Sequence, residues 1–237
     1  MLQTIQSGSV PLTIDSHEAV ARHYNIPTVN LAAEVAERIR AGRLTWGRYG
    51  GVHPGRPGNE LCAQMIENLL TQAWKNPMNA DSRPVKHGLP ATPLDNNHYG
   101  TGRFISPSKS SYGVDWKFQV PEWQKIPGQW RERFRSIPML VATKAGAELT
   151  FPFEGRAIGI YVLAGPDAGI VEYTIDQGPA RKADLFHAFS RGLHYPRTVM
   201  LDADLQPGPH RLKLRIVPEH NPASVGTAVR IMQFECN

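Results

Sequence analysis

The feature that most constrains this chain is a change in hydrophobic period partway along it. Before residue 75 apolar residues recur at helical spacing. After about residue 137 they alternate. Leu61, Met65, Leu69 and Ala73 form one row and Cys62, Ile66 and Leu70 the row beside it, so one helix carries a wide apolar stripe suited to packing on a sheet. Further on, Glu148-Leu149-Thr150-Phe151-Pro152-Phe153 alternates, Ile158, Ile160 and Val162 share a face, and Leu212, Leu214 and Ile216 point one way while Arg211, Lys213 and Arg215 point the other. Asp176-Gln177-Gly178 reads as a hairpin turn. With 21 glycines and 20 prolines as punctuation, seven or eight short strands follow residue 137. The predicted class is α/β plus all-β: a helical portion with one short strand, then a β-sandwich of jelly-roll type. Apolar residues make up 41% and charged residues 20%, enough for a packed core.

Three parts follow: residues 1–75, an extended connector at 76–135, and the sandwich at 136–237. In the first part Asp15 and Glu18 have capping-box spacing and open a helix over about 16–23. Residues 26–31 read as a short buried strand running into an N-cap at Asn30. The next helix covers about 31–41, with a Glu34–Arg38 pair one turn apart and Gly42 as its stop. Pro57 suits the first turn of the third helix, and Cys62 reads as a small core residue. The connector has weak periodicity but holds Trp116, Phe118, Trp123 and Trp130, which fits a segment pinned to the protein body by its rings. Aromatic platforms for a sugar are the rival reading.

Lys plus Arg is 26 and Asp plus Glu is 21, a net charge of +5. The excess lies in the middle, notably at Arg131, Arg133 and Arg135, without the dense basic stripe and interleaved aromatics of a nucleic-acid surface. No window approaches 18 consecutive apolar residues, so neither a transmembrane helix nor another membrane partner is expected. No signal peptide is visible, and the compartment stays open. Cys62 and Cys236 allow one bridge at most.

The chemistry centres on His53. It lies in a glycine-rich loop, Tyr49-Gly50-Gly51-Val52-His53-Pro54-Gly55-Arg56-Pro57-Gly58, just before the third helix. Such a loop can hold an imidazole at a pocket edge, where it can relay a proton to and from a hydroxyl nucleophile. The plainer expectation is a histidine that caps a helix or bonds a nearby carbonyl.

The run Tyr24-Asn25-Ile26-Pro27-Thr28-Val29-Asn30-Leu31-Ala32, then a helix, then Gly51-Val52-His53-Pro54, Gly58, Leu61 and Ala63, resembles the C-terminal end of the GDSL-type esterases, the SGNH hydrolase superfamily. The resemblance implies a flavodoxin-like α/β domain of which residues 1–75 are the last part, and a serine ester hydrolase in which His53 is the general base. It further implies an acylated carbohydrate or similar small-molecule ester as substrate, and no cofactor. The downstream part is similar to β-sandwich tails of some members. The family's Gly-Asp-Ser turn and its Gly and Asn oxyanion blocks are absent, and its aspartate three residues before the histidine is Gly50 here. Ser7, Ser9 and Ser16 lack a nucleophile-turn context and read as capping or loop serines. The chain is therefore expected to be a truncated or inactive form, with negligible esterase activity alone. The uncovered apolar faces of residues 1–75 are expected to pack on the sandwich or to self-associate.

A second candidate is the loop Phe186 to Arg197. There Arg191, His194, Tyr195 and Arg197, with His187, could bind a carbohydrate or acyl group. A rigid loop whose arginines bond carbonyls is the plainer reading. A zinc site on His187 and His194 lacks a third ligand at suitable spacing. Two further function classes stand beside the esterase: a non-catalytic carbohydrate-binding module carried by the sandwich, and a structural interaction protein.

Overall fold

The computed structural model describes residues 9–75, 83 and 86–237. The chain divides into two compact units, residues 1–98 and 99–237. The first is helical among its described residues, and the second is built of antiparallel sheets.

The helical unit contains α1 (Leu12–His23), α2 (Leu31–Arg40), the single turn α3 (Trp46–Tyr49) and α4 (Arg56–Ala73). Helix α1 begins earlier than the capping-box spacing suggested. Pro11 is its N-cap, and Asp15 sits inside the first turn, where its charge favours the positive end of the helix. Helix α2 starts as predicted, with the Asn30 side chain accepting from the Ala33 amide at 3.0 Å. Gly42 just beyond its end has φ +68°. The Glu34–Arg38 pair forms.

The strand predicted at 26–31 does not form. Residues 26–30 are neither helix nor strand, Leu31 already belongs to α2, and Ile26 is 54% exposed. A strand needs a partner ladder. Pro27 offers no amide, and none of the described residues in this unit supplies a neighbouring strand. The apolar stripe of α4 is likewise used only in part. Leu61 is buried and Met65 packs beside it in a small cluster with Val35 and Tyr49, but Ile66 and Leu70 are exposed. Cys62 is half-buried near the Tyr49 hydroxyl.

The second unit is a β-sandwich. Its eight principal strands are β4 (Met139–Ala142), β5 (Glu148–Glu154), β6 (Ile158–Ala164), β7 (Ile170–Ile175), β8 (Arg181–Asp184), β9 (Tyr195–Asp202), β10 (Pro209–Ile216) and β11 (Val229–Cys236). They lie in the orders β4-β11-β6-β9 and β5-β10-β7-β8. Successive strands from β4 to β7 alternate between the two sheets, and β8 to β11 return the same way, which is the jelly-roll order. The change of period predicted this all-β part, and Leu212, Leu214 and Ile216 face inward as the alternation required. The Asp176–Gly178 turn joins β7 to β8, with Asp176 at φ +53° and the Gly178 amide donating to the Ile175 carbonyl.

Residues expected as a connector contribute to the sheets. Strands β1 (Arg103–Ile105), β2 (Ser111–Tyr112) and β3 (Lys117–Gln119) pair with β11, β5 and β4. Their brevity hides any period of 2. Beyond β3, Trp123 and Phe134 lie with Met139, Leu163 and Met232 in a second apolar cluster on the outer face of the first sheet. Trp123 also donates to the Arg135 carbonyl at 2.9 Å and stacks on Trp130. Between the sheets the rings of Phe151 and Phe234 stack with centroids 3.9 Å apart.

Candidate functional site

The loop that carries His53 is shaped by its glycines. Helix α3 ends at Tyr49, which is buried. Gly50 at φ +108° and Gly51 at φ +75° then reverse the chain in the left-handed region. The Gly55 amide returns to the Tyr49 carbonyl at 2.9 Å. The start of α4 lies so close that a Cβ on Gly58 would stand 2.3 Å from the Tyr49 carbonyl oxygen. The loop is thus folded back on α3 and fixed by α4. His53 projects from it into solvent, and its ring makes no hydrogen bond among the described residues. Two grooves of the helical unit, about 400 and 440 Å³, run along Thr28–Asn30 and are lined by other residues.

Gly50 holds the place of the aspartate implied by the resemblance. A Cβ there would lie 2.0 Å from the Gly55 amide nitrogen. This backbone leaves no room for an orienting acid at that position. Ser16 donates to the Leu12 carbonyl within α1, Ser9 is exposed, and Ser7 lies outside the described residues.

The β8–β9 connection is the second candidate. His187 caps the 3-10 turn Ala188–Arg191: its Nδ1 accepts from the Phe189 amide at 3.2 Å, and the buried Ser190 hydroxyl accepts from the His187 amide at 3.1 Å. That reciprocal cap sets the His187 ring on Tyr195, with centroids 4.7 Å apart and nearly parallel. Phe189 completes a triad of rings, 5.1 Å from His187 and 5.2 Å from Tyr195, and is itself 62% exposed. Arg197 donates to the carbonyls of Leu185 and Phe186, which holds the loop against β9. Arg191 is exposed at the end of the turn.

His194 is placed differently from its neighbours. It is fully buried, donates from Nε2 to the Pro127 carbonyl at 2.9 Å, and meets Trp123 edge-on. Burial, then the nearby Arg230 charge, pushes its pKa down to about 4 against the opposing pull of Asp167. It is therefore a neutral imidazole that ties residue 127 to the sandwich. Arg230, also buried, makes a two-pronged pair with Asp167 at 2.8 and 2.6 Å.

Of the residues singled out from sequence, Tyr195 and Arg197 meet at the aromatic loop, Arg191 stands at its margin, His194 lies beneath it, and His53 belongs to the other unit. Phe189 escaped notice because an apolar ring in a loop carries no chemical signal until its neighbours are known. The Asp167–Arg230 pair joins positions 63 residues apart with no local pattern.

No protein-family profile matches the chain, and no curated protein matches it. Among solved structures it is similar to a two-domain esterase (CEX) active on acetylated mannans, co-crystallised with mannopentaose. The TM-score is 0.71 at 18% identity, over 98% of this chain and 60% of that one. A second structure of a two-domain esterase (CEX) active on acetylated mannans gives 0.67 at 20% identity, over 93% and 58%. At these identities the likeness is one of fold. This chain spans about 60% of the length of those esterases, and its succession of helices and antiparallel β-sandwich is similar to theirs.

Proposed function

We propose that this chain belongs to a serine ester hydrolase of SGNH type acting on acylated carbohydrate, with His53 as general base. The helical unit is then the final part of a flavodoxin-like domain, and the sandwich is its carbohydrate-recognising partner. The observation that carries the proposal is the loop itself: two left-handed glycines present a solvent-reachable imidazole, without a hydrogen bond among the described residues, immediately before an amphipathic helix. Three further features support it. The segment Thr28–Asn30 has a groove on either side, where neighbouring elements of a sheet would pack. The exposed row Ile66 and Leu70 on α4 suits the same cover. The fold is similar to that of esterases active on acetylated mannans.

In this reading a serine Oγ attacks the ester carbonyl while His53 takes its proton. The imidazolium returns that proton to the departing sugar hydroxyl, and water then releases the acyl group by the same relay. The nucleophile and oxyanion donors are supplied by residues other than these 237, since no Gly-Asp-Ser turn occurs here. The test measures acetate release from acetylated mannan. The chain alone should release none and should resist fluorophosphonate labelling. The chain expressed together with its upstream coding sequence should release acetate, and His53→Ala should lower that rate by about 10³-fold or more. Hydrolysis by the 237-residue chain, or indifference to His53→Ala, refutes the assignment.

The aromatic triad favours a second reading, a non-catalytic glycan-binding module. Phe189, supported by His187 and Tyr195, offers a flat apolar surface of the kind that stacks on a sugar ring. Glycan binding that persists in His53→Ala and is lost in Phe189→Ala would select it.

A further inference from the structure

The outer face of the first sheet is covered at one end by the Trp123 and Phe134 cluster. At the other end, where β1 pairs with the last residues of β11, it is open and forms a cavity of about 350 Å³. Its walls are mainly apolar. Tyr99 and Phe104 stand at its rim with 57% and 67% of their surfaces exposed, and Met200 lines its floor. Large rings left this open forgo burial that each would otherwise gain.

One carboxylate faces the same cavity, that of Glu235, fixed by the Thr198 hydroxyl, which donates to Oε1 at 3.0 Å. Among the described residues no cation pairs with it, and burial raises its pKa against the effect of that hydroxyl. Arg103 also borders the cavity, but the register sets its side chain on the Cys236 face, where its Nη2 donates to the Glu154 carbonyl of the other sheet at 2.8 Å. Glycine at residue 159 lets the Met200 and Glu235 side chains lie close over the sheet. A Cβ there would lie 2.9 Å from Met200 Sδ and 3.4 Å from Glu235 Oε2.

This combination selects a ligand class. The carboxylate disfavours an anion. Held by Thr198 and paired with no cation among the described residues, it favours a group rich in hydroxyls, which donate to Glu235. The exposed rings favour a ligand with a flat C–H face. We propose that this cavity is a binding site for a neutral pyranose unit of a polysaccharide chain, separate from the aromatic loop between β8 and β9. It stands on the sandwich alone and does not depend on the hydrolase assignment.

The test titrates the full 237-residue chain, labelled with ¹⁵N, with mannopentaose and separately with cellohexaose, following amide shifts. An anionic oligogalacturonate and a cationic chitosan oligomer serve as charge controls. The expected result is that a neutral oligosaccharide moves the amides of residues 99–104, 198–200 and 235. Phe104→Ala and Tyr99→Ala should each weaken it by about 5-fold or more, and Phe104→Tyr should retain it. Glu235→Gln, which keeps an acceptor of the same shape, should weaken it less than Glu235→Ala. The ring variants should fold normally because the rings are largely exposed, and their ¹⁵N spectra provide the check. Shifts confined to residues 187–195 overturn the proposal while leaving the aromatic-loop reading standing. Absence of binding by both neutral oligosaccharides overturns it, as does tighter binding of either charged oligomer.

Discussion

At the scale of single residues, two positions show how surroundings decide chemistry. Gly50 is required by its backbone, with φ +108° and no space for a Cβ. Gly50→Asp, which would restore the acid implied by the family resemblance, should therefore disrupt the loop. It should lower stability by about 1–3 kcal/mol in urea denaturation rather than organise His53. His194 shows the reverse: a residue type suited to catalysis whose burial removes it from chemistry. Its native pKa of about 4 lies below the ordinary value of 6.5, so between those values the unfolded chain binds more protons. This contribution is complete above about pH 6.5 and is lost as pH falls toward 4, amounting to about 3 kcal/mol. Unfolding midpoints measured at pH 7 and pH 4.5 should differ more for the native chain than for His194→Gln. Equal differences would show that the ring is not held neutral.

At the scale of elements, the contrast is between strands that fill the sandwich and strands that edge it. Phe151 on β5 and Phe234 on β11 meet face to face between the sheets, both fully buried. Phe151→Ala should cost about 3–5 kcal/mol, because the facing sheets cannot close around the lost ring. Phe118 on the short edge strand β3 is partly exposed, and its removal should cost well under half as much. Chemical denaturation of the two variants checks the ratio. The long strands were legible in the sequence because each shows a clean period of 2. Strands β1–β3 were not, because two or three residues cannot display a period and their pairing partners lie 20 to 133 residues away in the chain.

At the scale of the whole molecule, the two units differ in how much core they own. The sandwich encloses a continuous core between its sheets and a second cluster outside one of them. The buried part of the helical cluster is Val35, Tyr49 and Leu61. Native-state amide exchange should therefore be faster in α1–α4 than in β5, β6, β10 and β11, by orders of magnitude at the most protected sites. Comparable protection in both would show that the helical unit is stabilised beyond its own core. The exposed Ile66 and Leu70 row explains how a sequence with a convincing sheet-packing stripe leaves part of it in water. A stripe records which face seeks cover, and it carries no information on what stands opposite.

The sequence alone determined the succession of helices and jelly-roll strands, the inward set of β10, the cap at Asn30 and the glycine loop around His53. All depend on neighbours within a few residues, where backbone geometry and side-chain period act directly. Only the tertiary structure decided that residues 26–31 form no strand, that His194 is enclosed while Phe189 is open, and that Tyr99, Phe104 and Glu235 border one cavity. Each of these depends on which distant segment excludes water from a given face, and that choice is made by the fold as a whole.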